Sequence, residues 1–454
     1  MNKHLTLKQQ ILVAGTLFGM FFGAGNLIFP VHLGQLAGSN VIPAMIGFII
    51  TAVGIPVLGV AAIGITHSDG LQALASKVGP RYSCFFTCLL YLTIGPCFAI
   101  PRCATTSFTT GIAPMLGSES AGALLAFSGI FFVLVLIFSL RPANITVWIG
   151  KIINPLFLLF LAILVITALM QPSTSIFSTA PAQSYETGAL FSGFVEGYGT
   201  MDAIAGLAFG IVVIDIIRGM GITDDRAIAK DVLLSGSLAG TLMALIYVLT
   251  ILMGAQSLGL FECSDNGGIA LAQIAGHYLG SFGSIVLALT ITFACLKTSI
   301  GLVTSCAETF VRMFPRALSY RAWAVIFTLF SFLISNFGLS RIIDYSLPVL
   351  MFLYPPTITL ILLALCGKAF GHDRRVYVSV TAFTCGAAVL DMLKTLPQGL
   401  QNVLRVDGLL ALADRCLPLF SINLGWVFPA LVGLMLGLGL HFAGRKKYQI
   451  PDMA

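Results

Sequence analysis

The chain has 454 residues, of which 57% are hydrophobic and 9% charged, with a formal net charge of +6 and a mean hydropathy of +0.98. Soluble domains carry about 25% charged residues, so this composition excludes a water-facing globular surface. Disorder, a basic nucleic-acid-binding domain and a secreted disulfide scaffold are excluded with it. What remains is a single all-α polytopic domain over residues 1–454, embedded in a lipid bilayer, with about 20 apolar residues per crossing.

Apolar stretches punctuated by charge, glycine and proline predict twelve spans, at about 8–33, 41–65, 83–111, 122–140, 147–170, 194–217, 231–257, 278–311, 321–337, 341–367, 375–395 and 418–443. Lys3 and Lys8 precede the first, but no small-residue cleavage site follows and the apolar run continues to Pro30. It therefore reads as an uncleaved helix rather than a signal peptide. On one side of these spans fall Lys3, Lys8, Lys77, Arg81, Arg141 and Lys151, three basic residues each in the 218–230, 312–321 and 368–375 loops, and Arg445, Lys446 and Lys447. That makes eighteen basic residues, against four on the opposite side (Arg341, Lys394, Arg405 and Arg415). The positive-inside rule then places both termini in the cytoplasm. The ten cysteines form no CxxC pair and mostly lie in apolar segments, which reads as small buried hydrophobes and indicates no metal site. Cys263 and Cys416 fall in predicted outer loops, with nothing in the spacing to support a disulfide between them.

Two spans depart from ordinary lipid-packing composition. In the first, Gly15, Gly19 and Gly23 form a stripe suited to close helix contact. The stripe accounts for Gly15 but not for the run Gly23-Ala24-Gly25-Asn26 followed by Pro30. Such a run at mid-membrane depth predicts unwound backbone, which is tolerated there only around a buried or watery cavity. The sixth span repeats the device, with Gly193, Gly197, Tyr198, Gly199, Thr200, Met201, Asp202, Gly206 and Gly210 crowded together. Interrupted helices at corresponding places in two halves point to an inverted-repeat transporter. A half-helix beginning near Asn26 offers N–H groups to a carboxylate, and one ending near Phe22 offers carbonyls to a cation or an ammonium. A zwitterionic amino acid matches two crossed breaks of this kind.

The segments Phe22-Gly-Ala-Gly-Asn-Leu-Ile-Phe-Pro30, Gly95-Pro-Cys-Phe-Ala-Ile-Pro-Arg102, Gly197-Tyr-Gly-Thr-Met-Asp202, Ala294-Cys-Leu-Lys-Thr-Ser-Ile-Gly301 and Tyr354-Pro-Pro356 resemble, in order and spacing, those of the BrnQ-type branched-chain amino acid:cation symporters. The similarity spans nearly the whole chain. It implies a LeuT-like architecture, with a five-helix repeat over 8–170, an inverted five-helix repeat over 194–367 and two appended helices over 375–443. It also implies a multi-pass protein of a bacterial cytoplasmic membrane that imports leucine, isoleucine and valine by alternating access. No organic cofactor is implied. Carried over by position, Gly23, Ala24, Gly25 and Asn26 are expected to cradle the substrate carboxylate, and Tyr198, Gly199, Thr200 and Asp202 of the second break are expected to bind the substrate as well. The coupling cation, sodium with a proton as the alternative, would take carbonyls of Gly19, Phe22 and Cys295 and the hydroxyls of Thr298 and Ser299. Positions 295, 298 and 299 share one helical face.

Three charges fall inside spans. Asp202 adjoins a predicted break and is a functional candidate by default, for the substrate ammonium, a cation or a proton. Arg102 reads as structural, pairing with an acid or with helix carbonyls. Lys297 stands where the family pattern has a small or apolar residue, and Thr109 where it has an acid. At about 100° per residue, Lys297 falls about 200° from Cys295, nearly opposite the predicted cation face, which predicts a snorkelling or structural lysine. Glu196, Asp215, Glu308 and Asp344 lie near span ends. A membrane-embedded enzyme is disfavoured: there is no HExxH or GxSxG motif, and no histidine sits mid-span. A channel is disfavoured by the lack of repeated charged or carbonyl rings. The sequence sets no oligomeric state.

Overall fold

The structure is a computed structural model that describes residues 4–66, 68, 70–117, 120–140 and 145–446, with 145–154, 156–157 and 444–446 in backbone only. Lys3, Arg141 and Lys447 of the basic topology set lie outside the described residues. Every regular element among the described residues is a helix. The first span is two helices, α1 (Leu7–Phe21) and α2 (Gly25–Ala37), and α3 runs over 41–65. Then follow α4 (Pro80–Leu116), α5 (Ala121–Ser139) and α6 (Ile145–Met170). The sixth span is α7 (Ala189–Thr200) and α8 (Asp202–Gly219), bent by 47°. The remainder are α9 (Asp225–Ser257), α10 (Gly267–Met313), α11 (Tyr320–Ser335), α12 (Leu339–Cys366), α13 (Arg374–Thr395) and α14 (Val427–Lys446).

Each of the twelve expected spans has its helix or helix pair. Seven stretches are long and apolar enough to cross a membrane by themselves, or eight with the bent pair, and α6, α11 and α14 contribute shorter apolar helices. Two boundaries differ from the sequence reading. α10 begins at Gly267, with a kink at Gly280 (φ +62), so an arm precedes the expected span. Ahead of α14, the 398–416 stretch folds as two short helices, Gln398–Leu404 and Asp407–Cys416.

The interrupted helices sit at the centre because glycine lets their backbones touch those of their neighbours. A Cβ on Gly254 of α9 would lie 2.1 Å from the Val31 carbonyl oxygen of α2, and one on Gly193 of α7 would lie 1.9 Å from that of Ala44 in α3. Gly15 behaves differently from the sequence reading: among the described residues, no neighbouring helix comes within 4 Å of where its Cβ would be. The glycine stripe of the first span is thus not a continuous contact surface. Its functional end is at Gly19 and Gly23. α13 and α14 pack on each other, and α13 on α12, at the periphery.

These contacts separate two kinds of glycine. Gly254→Val forces two helix backbones apart, and overpacking of this sort costs about 1–3 kcal/mol, so the detergent-solubilised protein is expected to melt several degrees lower, on the order of 5 °C. Gly15→Ala meets open space and adds helix propensity, so its melting temperature is expected to match or exceed that of the parent.

Candidate functional site

Both breaks are built locally by short polar residues. At the end of α1, Phe22 turns extended (ψ 101) while its N–H still reaches the Phe18 carbonyl at 2.8 Å. The Gly23 N–H no longer follows the helix and donates to Asn26 Oδ1 at 2.9 Å. α2 then restarts, with the Leu27 and Ile28 N–H groups both on the Ala24 carbonyl at 3.2 and 3.3 Å. Pro30 lies inside α2 rather than at the break. At the second break α7 closes in a 3₁₀ turn, Gly197–Thr200, and Met201 takes the left-handed conformation at φ 64. That conformation is strained for a residue with a side chain. Thr200 Oγ1 donates to the Gly197 carbonyl at 3.0 Å and accepts from the Asp202 N–H at 3.3 Å, and α8 starts on Asp202.

A buried network ties the two breaks together. Asn26 Nδ2 donates to Asp202 Oδ2 at 2.6 Å and also to the Tyr247 hydroxyl of α9. Tyr247 in turn donates to the same Asp202 oxygen at 3.0 Å. Asp202, Asn26 and Tyr247 are all buried. Arg102 of α4 reaches in from the other side: Nη1 donates to the Gly199 carbonyl at 2.6 Å, and the guanidinium lies 5.2 Å from the Phe29 ring centroid. Two glycines make this approach feasible. A Cβ at Gly25 would sit 2.7 Å from Arg102 Nη2, and one at Gly199 would sit 2.4 Å from the Phe29 ring.

Around this network lies a small, partly open cavity. Of the residues predicted from sequence, it is lined by Gly23, Ala24, Gly25, Asn26, Thr200, Asp202 and Thr298. Arg102 and Cys103 also face it, and its apolar wall is Met20, Phe21, Ile94, Ala99, Met201, Ala205, Phe209 and Leu302. The other predicted residues stand back from it. Tyr198 is fully buried and stacks on Tyr354 with ring centroids 4.0 Å apart. Gly199 borders a second, larger cavity of about 1410 Å³ that Phe29, Glu196 and Asp344 also line. Arg102, Gly199 and Phe29 thus meet between the two spaces. Sequence reasoning missed Tyr247, which carries no local signal, and the wall residue Phe209. It saw Arg102 as an intramembrane charge with an acid or helix carbonyls as its partner, of which the structure shows the Gly199 carbonyl, but did not place it at the site.

The predicted cation ligands are arranged differently from the expectation. Phe22 stacks on Phe18 at 4.9 Å between centroids, and Cys295 is buried. Thr298 Oγ1 donates back to the Ala294 carbonyl at 3.1 Å, and Ser299 Oγ is buried without a hydrogen-bond partner. The Gly19 carbonyl accepts from Lys297 Nζ at 3.4 Å. The helical-wheel reading placed Lys297 away from this face; its four-carbon stem is long enough to carry the ammonium back around the helix. Two unit charges about 4 Å apart repel by about 4 kcal/mol at an effective dielectric constant of 20. As arranged, this donor set does not fit a sodium ion. All ten cysteines, Cys263 and Cys416 included, are free thiols.

The geometry sorts the break glycines. Gly25→Ala and Gly199→Ala drive a methyl into the Arg102 guanidinium or the Phe29 ring, and melting is expected to fall by several degrees, on the order of 5 °C. Gly23→Ala meets only ordinary contact, with Thr298 Cγ2 at 3.4 Å, and is expected to keep the parental melting temperature.

Comparison with known proteins agrees with this geometry. A family model described as branched-chain amino acid transport protein matches residues 6–443. The branched-chain amino acid permease BrnQ of Lactobacillus delbrueckii subsp. lactis is 49% identical over 434 residues, covering 95% of this chain and 96% of that protein. The branched-chain amino acid permease BraB of Bacillus subtilis is 39% identical over 449 residues, covering 98% and 99%. Among solved structures, Mhp1, a nucleobase-cation-symport-1 family transporter in a closed conformation with bromovinylhydantoin bound, superposes with a TM-score of 0.59 at 13% identity, covering 98% of this chain and 94% of that one. MhsT in complex with L-phenylalanine gives 0.54 at 17% identity, covering 87% and 99%. These structures share the fold, which is LeuT-like. The family comprises transport permeases rather than enzymes. The chain, matched along nearly its whole length, belongs to the branched-chain amino acid transport protein family.

Proposed function

We propose that the chain imports leucine, isoleucine and valine across a bacterial cytoplasmic membrane, by cation symport and alternating access. In this reading both termini are cytoplasmic, and the repeats over 8–170 and 194–367 move against each other about the breaks, with 375–443 appended. The observation that carries it is the charge at the four half-helix ends. Carbonyl ends of helices favour cations and N–H ends favour anions. The carbonyl end of α1 has Lys297 on Gly19, the carbonyl end of α7 has Arg102 on Gly199, and the N–H end of α8 has Asp202 in its first turn. The N–H end of α2, at Gly25 and Asn26, has no acid in its first turn and opens on the cavity. It is the end left for a substrate carboxylate. Asp202 and Thr200 line the cavity beside it, and the Asp202 carboxyl group, hydrogen-bonded to Asn26, suits the ammonium. The branched side chain would lie on the apolar wall of Ile94, Ala205, Phe209 and Leu302.

The relatives' names, branched-chain amino acid permeases, support the substrate class. For the ion, the family resemblance favours sodium, whereas the Lys297 ammonium on Gly19 favours a proton.

Labelled leucine is expected to accumulate in proteoliposomes under an imposed ion gradient, with isoleucine and valine competing and glutamate and lysine not. Asp202→Asn weakens a charge-assisted network worth about 1.5–3 kcal/mol per bond, so uptake is expected to drop by at least about 10-fold. Absence of leucine uptake under both sodium and proton gradients would overturn the reading.

A further inference from the structure

We infer that the Lys297 ammonium occupies the place of a bound sodium ion at the end of α1, so that transport by this chain does not require sodium. The inference rests on the transport reading above and specifies how its cation position is filled. The break creates the vacancy that Lys297 fills. In an unbroken helix the Gly19 carbonyl would accept from the N–H four residues on, that of Gly23. Here the Gly23 N–H is turned to Asn26 Oδ1 at 2.9 Å. The Gly19 carbonyl is left in the last turn of α1, at the negative end of the helix dipole and buried, with no helical donor. No basic residue of α1 stands in that turn to complement it. Lys297 Nζ, from the facing helix α10, supplies the donor at 3.4 Å.

The position therefore has its positive charge already, covalently tethered. Thr298, the next residue, turns its Cγ2 toward the break, and its hydroxyl bonds its own helix instead of standing free as a cation ligand. A mobile sodium ion would have to displace the ammonium from Gly19 or sit beside it against like-charge repulsion. With the lysine in place, the broken end of α1 is stabilised in the same manner whether sodium is present or absent. A ligand that has no differential interaction with the two states shifts no equilibrium between them.

The test is leucine uptake by the full chain in proteoliposomes carrying a membrane potential and a pH gradient, in sodium medium and with choline replacing sodium. Equal initial rates, within about 2-fold, are expected. Stimulation by sodium of about 10-fold or more, equivalent to a coupling of 1.4 kcal/mol, overturns the inference while leaving the transport reading intact. No uptake in either medium overturns the transport reading itself. A second arm uses Lys297→Met, which keeps the stem and loses the charge, and Lys297→Arg, which keeps the charge. In choline, the Met variant is expected to lose at least about 10-fold in leucine uptake and the Arg variant to retain sodium-independent uptake. A Met variant that transports in choline as the parent does overturns the inference. Melting of each purified variant identifies one that fails to fold, and in that case the parent's two-medium comparison decides alone.

Discussion

A lipid bilayer offers no water to a backbone group that has lost its helical partner, and two of the twelve spans here lose several. The rest of the structure is arranged around satisfying those groups from the side. Asn26 takes the Gly23 N–H and at the same time reaches Asp202 and Tyr247. Thr200 closes the second break onto the Gly197 carbonyl and the Asp202 N–H. Arg102 covers the Gly199 carbonyl and Lys297 the Gly19 carbonyl. Three other helices, α4, α9 and α10, thus supply Arg102, Tyr247 and Lys297 to the two breaks. The backbone contact at Gly254 holds α9 close enough to serve.

The scarcity of charge, at 9% of residues, thereby acquires a pattern. Asp202, Arg102 and Lys297 gather at the breaks, each at a helix end of opposite partial charge. A charge buried in lipid is costly unless it is paired or faces a cavity, and these three meet that condition through backbone and amide groups rather than through ion pairs. No Lys or Arg makes a side-chain ion pair with an acid at the site. The N–H end of α2 opens on the cavity with no acid in its own first turn.

Much of this was legible along the chain. Span number came from apolar periodicity, because the cost of exposing backbone in lipid forces continuous helices of a set length. The breaks came from Gly23-Ala24-Gly25-Asn26 and Gly197-Tyr198-Gly199-Thr200-Met201, because those residues are poor at continuing a helix. Asp202 and Arg102 came from the cost of intramembrane charge. Two readings failed for one shared reason. Gly15 was read as a contact and Lys297 as pointing away from the cation face. Each was judged from its own helix, whereas contact is decided by the neighbour. Among the described residues no neighbouring helix comes within 4 Å of a Cβ on Gly15, and the freed Gly19 carbonyl draws the long Lys297 side chain around its helix.

The sequence by itself determined the membrane class, the number of spans and which two are interrupted. These follow from local costs: burying charge, exposing backbone and bending a chain at glycine. Tertiary structure alone decided which groups answer the interruption, since Asn26 is separated from Asp202 and Tyr247 by 176 and 221 positions along the chain and they meet only when α2, α8 and α9 pack. It also decided that the carbonyl end predicted to bind a mobile cation is held by a lysine. Helical phase places a Cα, but the reach of a flexible side chain and the pull of an unsatisfied carbonyl place its ammonium.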